Sequence, residues 1–179
     1  MSAVIRLDVM LHEAVATPYR DLVTRPAGAA VRNRVLAVLR DADDDAAQLD
    51  FSEVGLMDYS CADEVVAKLL VEMLNAPGAR LSLRGVREHH ADAISHALSR
   101  YDLVIVALLT DFHEPQLLGT APADWHDAFG ALRSLGRAPA APVAAALSWP
   151  VARTETALRG LAGRRCVVEY PDATFGAVA

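Results

Sequence analysis

Ile5, Leu7, Val9 and Leu11 alternate with Arg6 and Asp8, and this period of two predicts a half-buried strand over 3–11. The pattern then shifts to helical spacing. Val31, Val35, Val38 and Leu39 fall on one face of a helix over about 28–40. The acidic run from Asp41 to Asp45 reads as a solvated loop, and Gln48 to Phe51 as a short strand. Ala62, Val65, Val66, Leu69, Leu70, Met73 and Leu74 keep i, i+3, i+4, i+7 spacing without a break. They predict the strongest helix of the chain, opened by a Ser60–Asp63 capping box and stopped by Asn75, Pro77 and Gly78.

Arg80 to Val86 reads as a strand, and Ile94, Leu98 and Tyr101 mark the inner face of a helix over about 88–100. Leu103 to Leu109 is continuously apolar, as in a strand covered on both faces. Strand and helix thus alternate to about residue 110, the pattern of an α/β layer with mainly parallel strands. Residues 111–121 read as a connector, within a stretch over 110–122 that holds two prolines and a glycine. Residues 122–179 read as a mainly helical module. Its elements are a stripe of Trp125, Ala128, Phe129 and Leu132, a short helix over 142–147, and a helix over 151–162. A strand over 166–170, a turn at Pro171–Asp172 and a return strand follow.

Composition narrows the classes. The 179 residues are 53% hydrophobic and 22% charged, enough to bury a core. The net charge of -6 argues against a surface that coats nucleic acid throughout, though not against a local basic patch. No apolar run is long enough to span a bilayer, and Arg6 and Asp8 interrupt the start too early for a secretory signal. Cys61 and Cys166 are far apart, which suits a reducing cytoplasm and offers no disulfide framework or zinc cluster. A cytoplasmic protein with no membrane contact is expected.

The segment LDFSEVGLMDYSCADE carries a more specific signal. A short strand ending in Leu-Asp-Phe-Ser, then Met57-Asp58, then Ser60 opening an amphipathic helix, resembles the STAS domain. That family covers sulfate-transporter tails and anti-sigma-factor antagonists. The run from Ser60 to Glu64 is similar to the STAS-like group of unassigned function. The resemblance covers about residues 45–110. It implies that Ser60 aligns with the residue phosphorylated by a partner kinase that is also the anti-sigma factor. Two departures stand out: Tyr59 replaces the first small hydroxyl residue, and Cys61 replaces a glycine. Asp58, Tyr59, Cys61 and Asp63 are then candidates for partner docking. Ser60 also has a plainer role, as a helix cap worth about 1 kcal/mol. Asp58 is expected to accept backbone N–H groups rather than to act as an acid or base.

The C-terminal helix, tight turn, helix and strand resemble the winged helix-turn-helix of bacterial regulators. If that module binds DNA, Arg153, Thr154, Thr156 and Arg159 face the bases, and Arg164 and Arg165 lie near phosphates. The charge is unhelpful to that reading. Residues 139–179 carry a net of only +1, residues 111–138 carry -2, and Glu155 sits among the reading positions. Dimerisation or partner docking is the first expectation for this module, and DNA binding the second.

Other signals carry less. Glu88, His89, His90 and His96 share a predicted helix; His89 and His96, seven apart, fall roughly on one face, but no third ligand has a matching spacing. Cys61 at a helix N-terminus is a candidate for a lowered pKa, with no histidine placed beside it by the sequence. Trp149 before Pro150 reads as a turn anchor. No catalytic group, metal or cofactor is expected. The expectation is a non-catalytic regulator working through protein contact, with a protein partner such as an anti-sigma-factor-like kinase and a homodimer as one arrangement. The competing expectation is a DNA-binding regulator with the α/β domain as its sensor.

Overall fold

The computed structural model describes residues 2–16, 18–41, 45–76 and 80–178. The chain forms two compact units, Met1–Thr120 and Ala121–Ala179.

The first unit is an α/β layer. Its elements run β1 (Ser2–Arg6), α1 (Leu7–Val15), α2 (Arg25–Asp41), β2 (Ala46–Asp50) and α3 (Tyr59–Ala62). A π-helical segment (Asp63–Lys68) continues α3 directly into α4 (Leu69–Leu74). Then come β3 (Arg80–Val86), α5 (Glu88–Ser99), β4 (Val104–Leu109) and β5 (Gln116–Gly119). The sheet order is β1-β2-β3-β4-β5. The first four strands are parallel and β5 is antiparallel to β4. For parallel strands in sequential order, crossovers of the usual right hand place the helices between them on one face. The core forms there, with Ile5, Leu49, Leu83 and Ile105 of the sheet under Leu11, Val35, Val66 and Ile94 of the helices.

Several sequence expectations change. The strand expected over 3–11 ends at Arg6. Leu7 and Leu11 are buried as an i, i+4 pair on α1, while Val9 is exposed. The apparent alternation was therefore a helical face read at half its period. The expected connector contains β5, which pairs Gln116 to Gly119 with Ala107 to Val104. The helix expected from 28 begins at Arg25, with Thr24 Oγ1 accepting the Ala27 N–H. Asp43 and Asp44 of the acidic run, and Pro77 and Gly78 of the expected helix stop, lie outside the described residues.

The second unit contains α6 (Ala123–Leu135), β6 (Ala138–Pro139), α7 (Ala140–Leu147), α8 (Val151–Gly163), β7 (Val167–Glu169) and β8 (Thr174–Ala177). Its strands form an antiparallel sheet in the order β6-β8-β7. Phe129, Leu132, Val143, Leu158, Leu161 and Phe175 are buried. The sharp turn between α7 and α8 uses Ser148 in the left-handed region, with the Trp149 N–H donating to Ala144 O. Pro150 then caps α8, where its fixed φ suits a helix start. The two-residue strand β6 had no sequence signal of its own.

Candidate functional site

The helix opened by Asp58 is the centre of the candidate site. Two loops hold its start. Gly55 N–H donates to Arg20 O, Leu22 N–H to Leu56 O, and Asp58 N–H to Leu22 O. Leu22 and Met57 form an isolated parallel bridge and are both buried. His90 braces the same loop from α5. Its Nδ1 accepts the Arg87 N–H at 3.3 Å, which leaves the proton on Nε2 to donate to Gly55 O at 2.6 Å. Burial keeps His90 neutral by pushing its pKa below the ordinary value.

The N-cap of α3 is Asp58, not Ser60. Asp58 Oδ1 accepts the Cys61 N–H at 2.8 Å and the Ser60 hydroxyl at 2.8 Å. Ser60 is the second residue of the helix, half-buried, and the expected Ser60–Asp63 capping box does not form. Tyr59 is half-buried as well. Arg100 Nη1 donates to its hydroxyl at 3.1 Å, and its ring lies 4.7 Å from the His96 ring. Asp58, Tyr59 and Ser60 thus form one accessible surface with His96 and Arg100.

Cys61 and Asp63 do not belong to that surface. Cys61 is fully buried, and its Sγ donates to Thr24 O at 3.0 Å. Burial, reinforced by the Asp58 carboxylate, pushes its thiol up to about 12. The lowered pKa expected from a helix N-terminus is therefore reversed, and no docking partner reaches this side chain in this conformation. α2 passes so close that a Cβ on Gly28 would sit 3.1 Å from Cys61 Cα.

Asp63 and Glu64 are buried at 1% and 3% exposure, on the π-helical segment. Arg25 Nη1 reaches Asp63 Oδ2 and Glu64 Oε1, both at 2.7 Å. Arg32 Nη1 donates to Glu64 Oε2 at 2.6 Å, Tyr101 to Asp63 Oδ1 at 3.0 Å, and Lys68 to Glu64. Burial opposes ionisation of both carboxylates, yet these donors outweigh it and hold both pKa values below the usual range. Asp63, expected at the docking surface, is thus internal, and every residue from Cys61 to Ala67 is buried, because this helix lies between α2 and α5. The only sequence signal was two adjacent acids within a strongly apolar stretch.

In the second unit the proposed base-reading residues are largely engaged. Arg153 makes two hydrogen bonds to Asp124, at 2.8 and 2.7 Å, and lies 4.0 Å over the Trp149 ring. Thr154 is buried, which removes it from any α8 contact surface. Thr156 is exposed and its hydroxyl donates to Ala152 O at 2.9 Å. Arg159 pairs with Glu155 at 3.2 Å and with Glu169 at 3.6 Å. Arg164 and Arg165 follow the end of α8 and are half-buried. Among the described residues, no cluster of three or more His, Cys, Asp or Glu is placed to hold a metal, and no helix is long and apolar enough to cross a membrane.

No protein family, curated protein or solved structure matches the chain.

Proposed function

We propose that this is a non-catalytic cytoplasmic regulatory protein that acts by protein–protein contact through a STAS-like first unit, with Ser60 as a phosphorylation switch. The observation that carries the reading is the shared acceptor: Ser60 Oγ and Cys61 N–H both bond Asp58 Oδ1. A phosphate on Ser60 removes the hydroxyl donor. It places nearly two negative charges beside the cap carboxylate. The helix start then reorganises, and with it the surface of Asp58, Tyr59 and Ser60. The docked partner is an anti-sigma-factor-like kinase, and the second unit supplies a dimer or output contact.

Phosphopeptide mapping of the protein from its native host, in several growth states, tests this. Trypsin releases residues 41–68 as one peptide with Ser52, Tyr59 and Ser60 as candidates, so fragmentation must localise the site. Phosphate on Ser60, absent from Ser60→Ala, is the expected result. An unmodified peptide in every state removes the switch.

A second reading has its own support. Helix, strand, two helices and two strands, with an antiparallel sheet in the order β6-β8-β7, is the arrangement a winged-helix module would have. A DNA-binding regulator would use α8 as its reading helix. The ion pairs of Arg153 and Arg159 weigh against it, because a phosphate backbone must displace Asp124, Glu155 and Glu169. DNA binding that falls steeply with salt and disappears in Arg153→Ala with Arg159→Ala would establish this reading over the first.

A further inference from the structure

A cleft of about 290 Å³ opens beyond the carboxyl ends of β3 and β4. Open parallel sheets take small ligands at this end, and the volume is at the small end of the usual ligand range of about 300–1,000 Å³. A β-bulge shapes the cleft. The β3–β4 register shifts between Arg84 and Val86, so Val86 turns into the core while Arg84 stays exposed. Gly85 makes the bulge possible, with φ of 64° and space for a hydrogen only. A Cβ there would lie 2.3 Å from Ser52 Oγ and 2.7 Å from Ser52 N.

The chemistry of the lining is one-sided. Its two charged residues are Arg84 and Arg87, both exposed. Arg84 has Asp50 at 3.5 Å, while the Asp50 carboxylate is also used by the Ser52 N–H at 2.9 Å. The nearby Glu53 is taken by Arg20. The hydroxyls of Ser52 and Thr110 line the same space, and Phe112 adds an aromatic side chain left 51% exposed. Guanidinium forks match the oxygens of a phosphate or carboxylate, and an exposed ring gains by being covered.

We propose that this cleft binds a small organic phosphate ester with a planar apolar body. Arg84, Arg87 and Ser52 hold the phosphate, and Phe112 covers the body. This site is independent of the Ser60 surface and of the docking reading built on it.

Titration of the isotope-labelled full chain with phenyl phosphate, followed by amide NMR, tests the assignment. Inorganic phosphate and phenol serve as the two half-probes. Saturable shifts at Ser52, Gly85, Arg87 and Thr110 are expected, with phenyl phosphate binding more tightly than either half-probe. The variant Arg84→Ala with Arg87→Ala should weaken binding ~tenfold or more, the scale of losing charge-assisted contacts. Phe112→Ala should weaken phenyl phosphate and leave inorganic phosphate unchanged, and as a change to an exposed side chain it leaves the fold intact. Absence of saturation by ~1 mM overturns the site. So do shifts centred elsewhere, or equal binding by the double arginine variant. Inorganic phosphate binding as tightly as phenyl phosphate overturns the ester assignment.

Discussion

The Ser60 hydroxyl donates to Asp58 Oδ1 at 2.8 Å, and the same oxygen holds the Cys61 N–H that opens the helix. The cap and the candidate switch residue are therefore joined through one atom. Asp58 does the capping, and Ser60 adds a hydrogen bond from a position that still reaches solvent.

That division predicts unequal costs. Asp58→Ala removes the acceptor of a helix-opening N–H and should lower stability by about 1–2 kcal/mol. Ser60→Ala removes one half-buried donor and should cost less than about 1 kcal/mol. Urea unfolding with unchanged slope measures both. A larger loss at Ser60 than at Asp58 would return the cap to Ser60.

Cys61 should be inert. Its thiol is fully buried, bonded to Thr24 O, and pushed up to about 12 by burial and by Asp58. Thiolate, the reactive form, is then scarce at neutral pH. Iodoacetamide labelling of the native protein should be much slower than for the urea-unfolded chain. Native labelling as fast as a free thiol would show that the α2–α3 contact at Gly28 opens readily.

The long elements of the first unit were legible because their apolar spacing is regular. Helix α5, the strand Arg80–Val86 and the buried run from Leu103 fall where the pattern placed them. What escaped had little periodicity to read. β5 is four residues behind a proline, and β6 is two residues ending in one. At the site, Asp58 was legible as a backbone acceptor, but its rank over Ser60 as cap was not, since both residue types cap well. The inward turn of Asp63 and Glu64 was illegible for another reason. It depends on Arg25 and Arg32, more than thirty residues upstream, and no local pattern encodes that pairing.

His90 should give stability a pH dependence in the mildly acidic range. Its pKa in the folded protein is lowered from the ordinary 6.5, first by burial. The unfolded chain therefore takes up a proton before the folded one does. Stability is complete above about pH 6.5 and falls as pH drops from there toward the lowered folded value. The urea midpoint should be lower at about pH 5.5 than at about pH 7.5. His90→Gln, which keeps a donor for Gly55 O, should flatten that difference. An unchanged pH dependence in the variant would exclude His90 as its source.

The buried carboxylates should be the most sensitive polar positions of the first unit. Glu64 is 3% exposed and joins Arg25, Arg32 and Lys68, so removing it strands cations selected to face it. Breaking a buried pair from one side costs about 3–5 kcal/mol. The low end applies, because the Arg25 and Lys68 side chains remain 45% and 35% exposed and can recover hydration. Glu64→Ala should therefore lose about 3 kcal/mol, whereas Glu13→Ala, which breaks an exposed pair with Arg34, should lose less than about 1 kcal/mol. The pH window is separate from that of His90. The folded pKa values of Asp63 and Glu64 lie below their ordinary 3.8 and 4.5. Their contribution is present above those ordinary values and is lost as pH falls through the lowered folded ones. Glu64→Gln should thus show a shallower loss of stability below about pH 4.5 than the parent chain. Equal acid sensitivity in the two proteins would mean that Glu64 is not held ionised by its arginines.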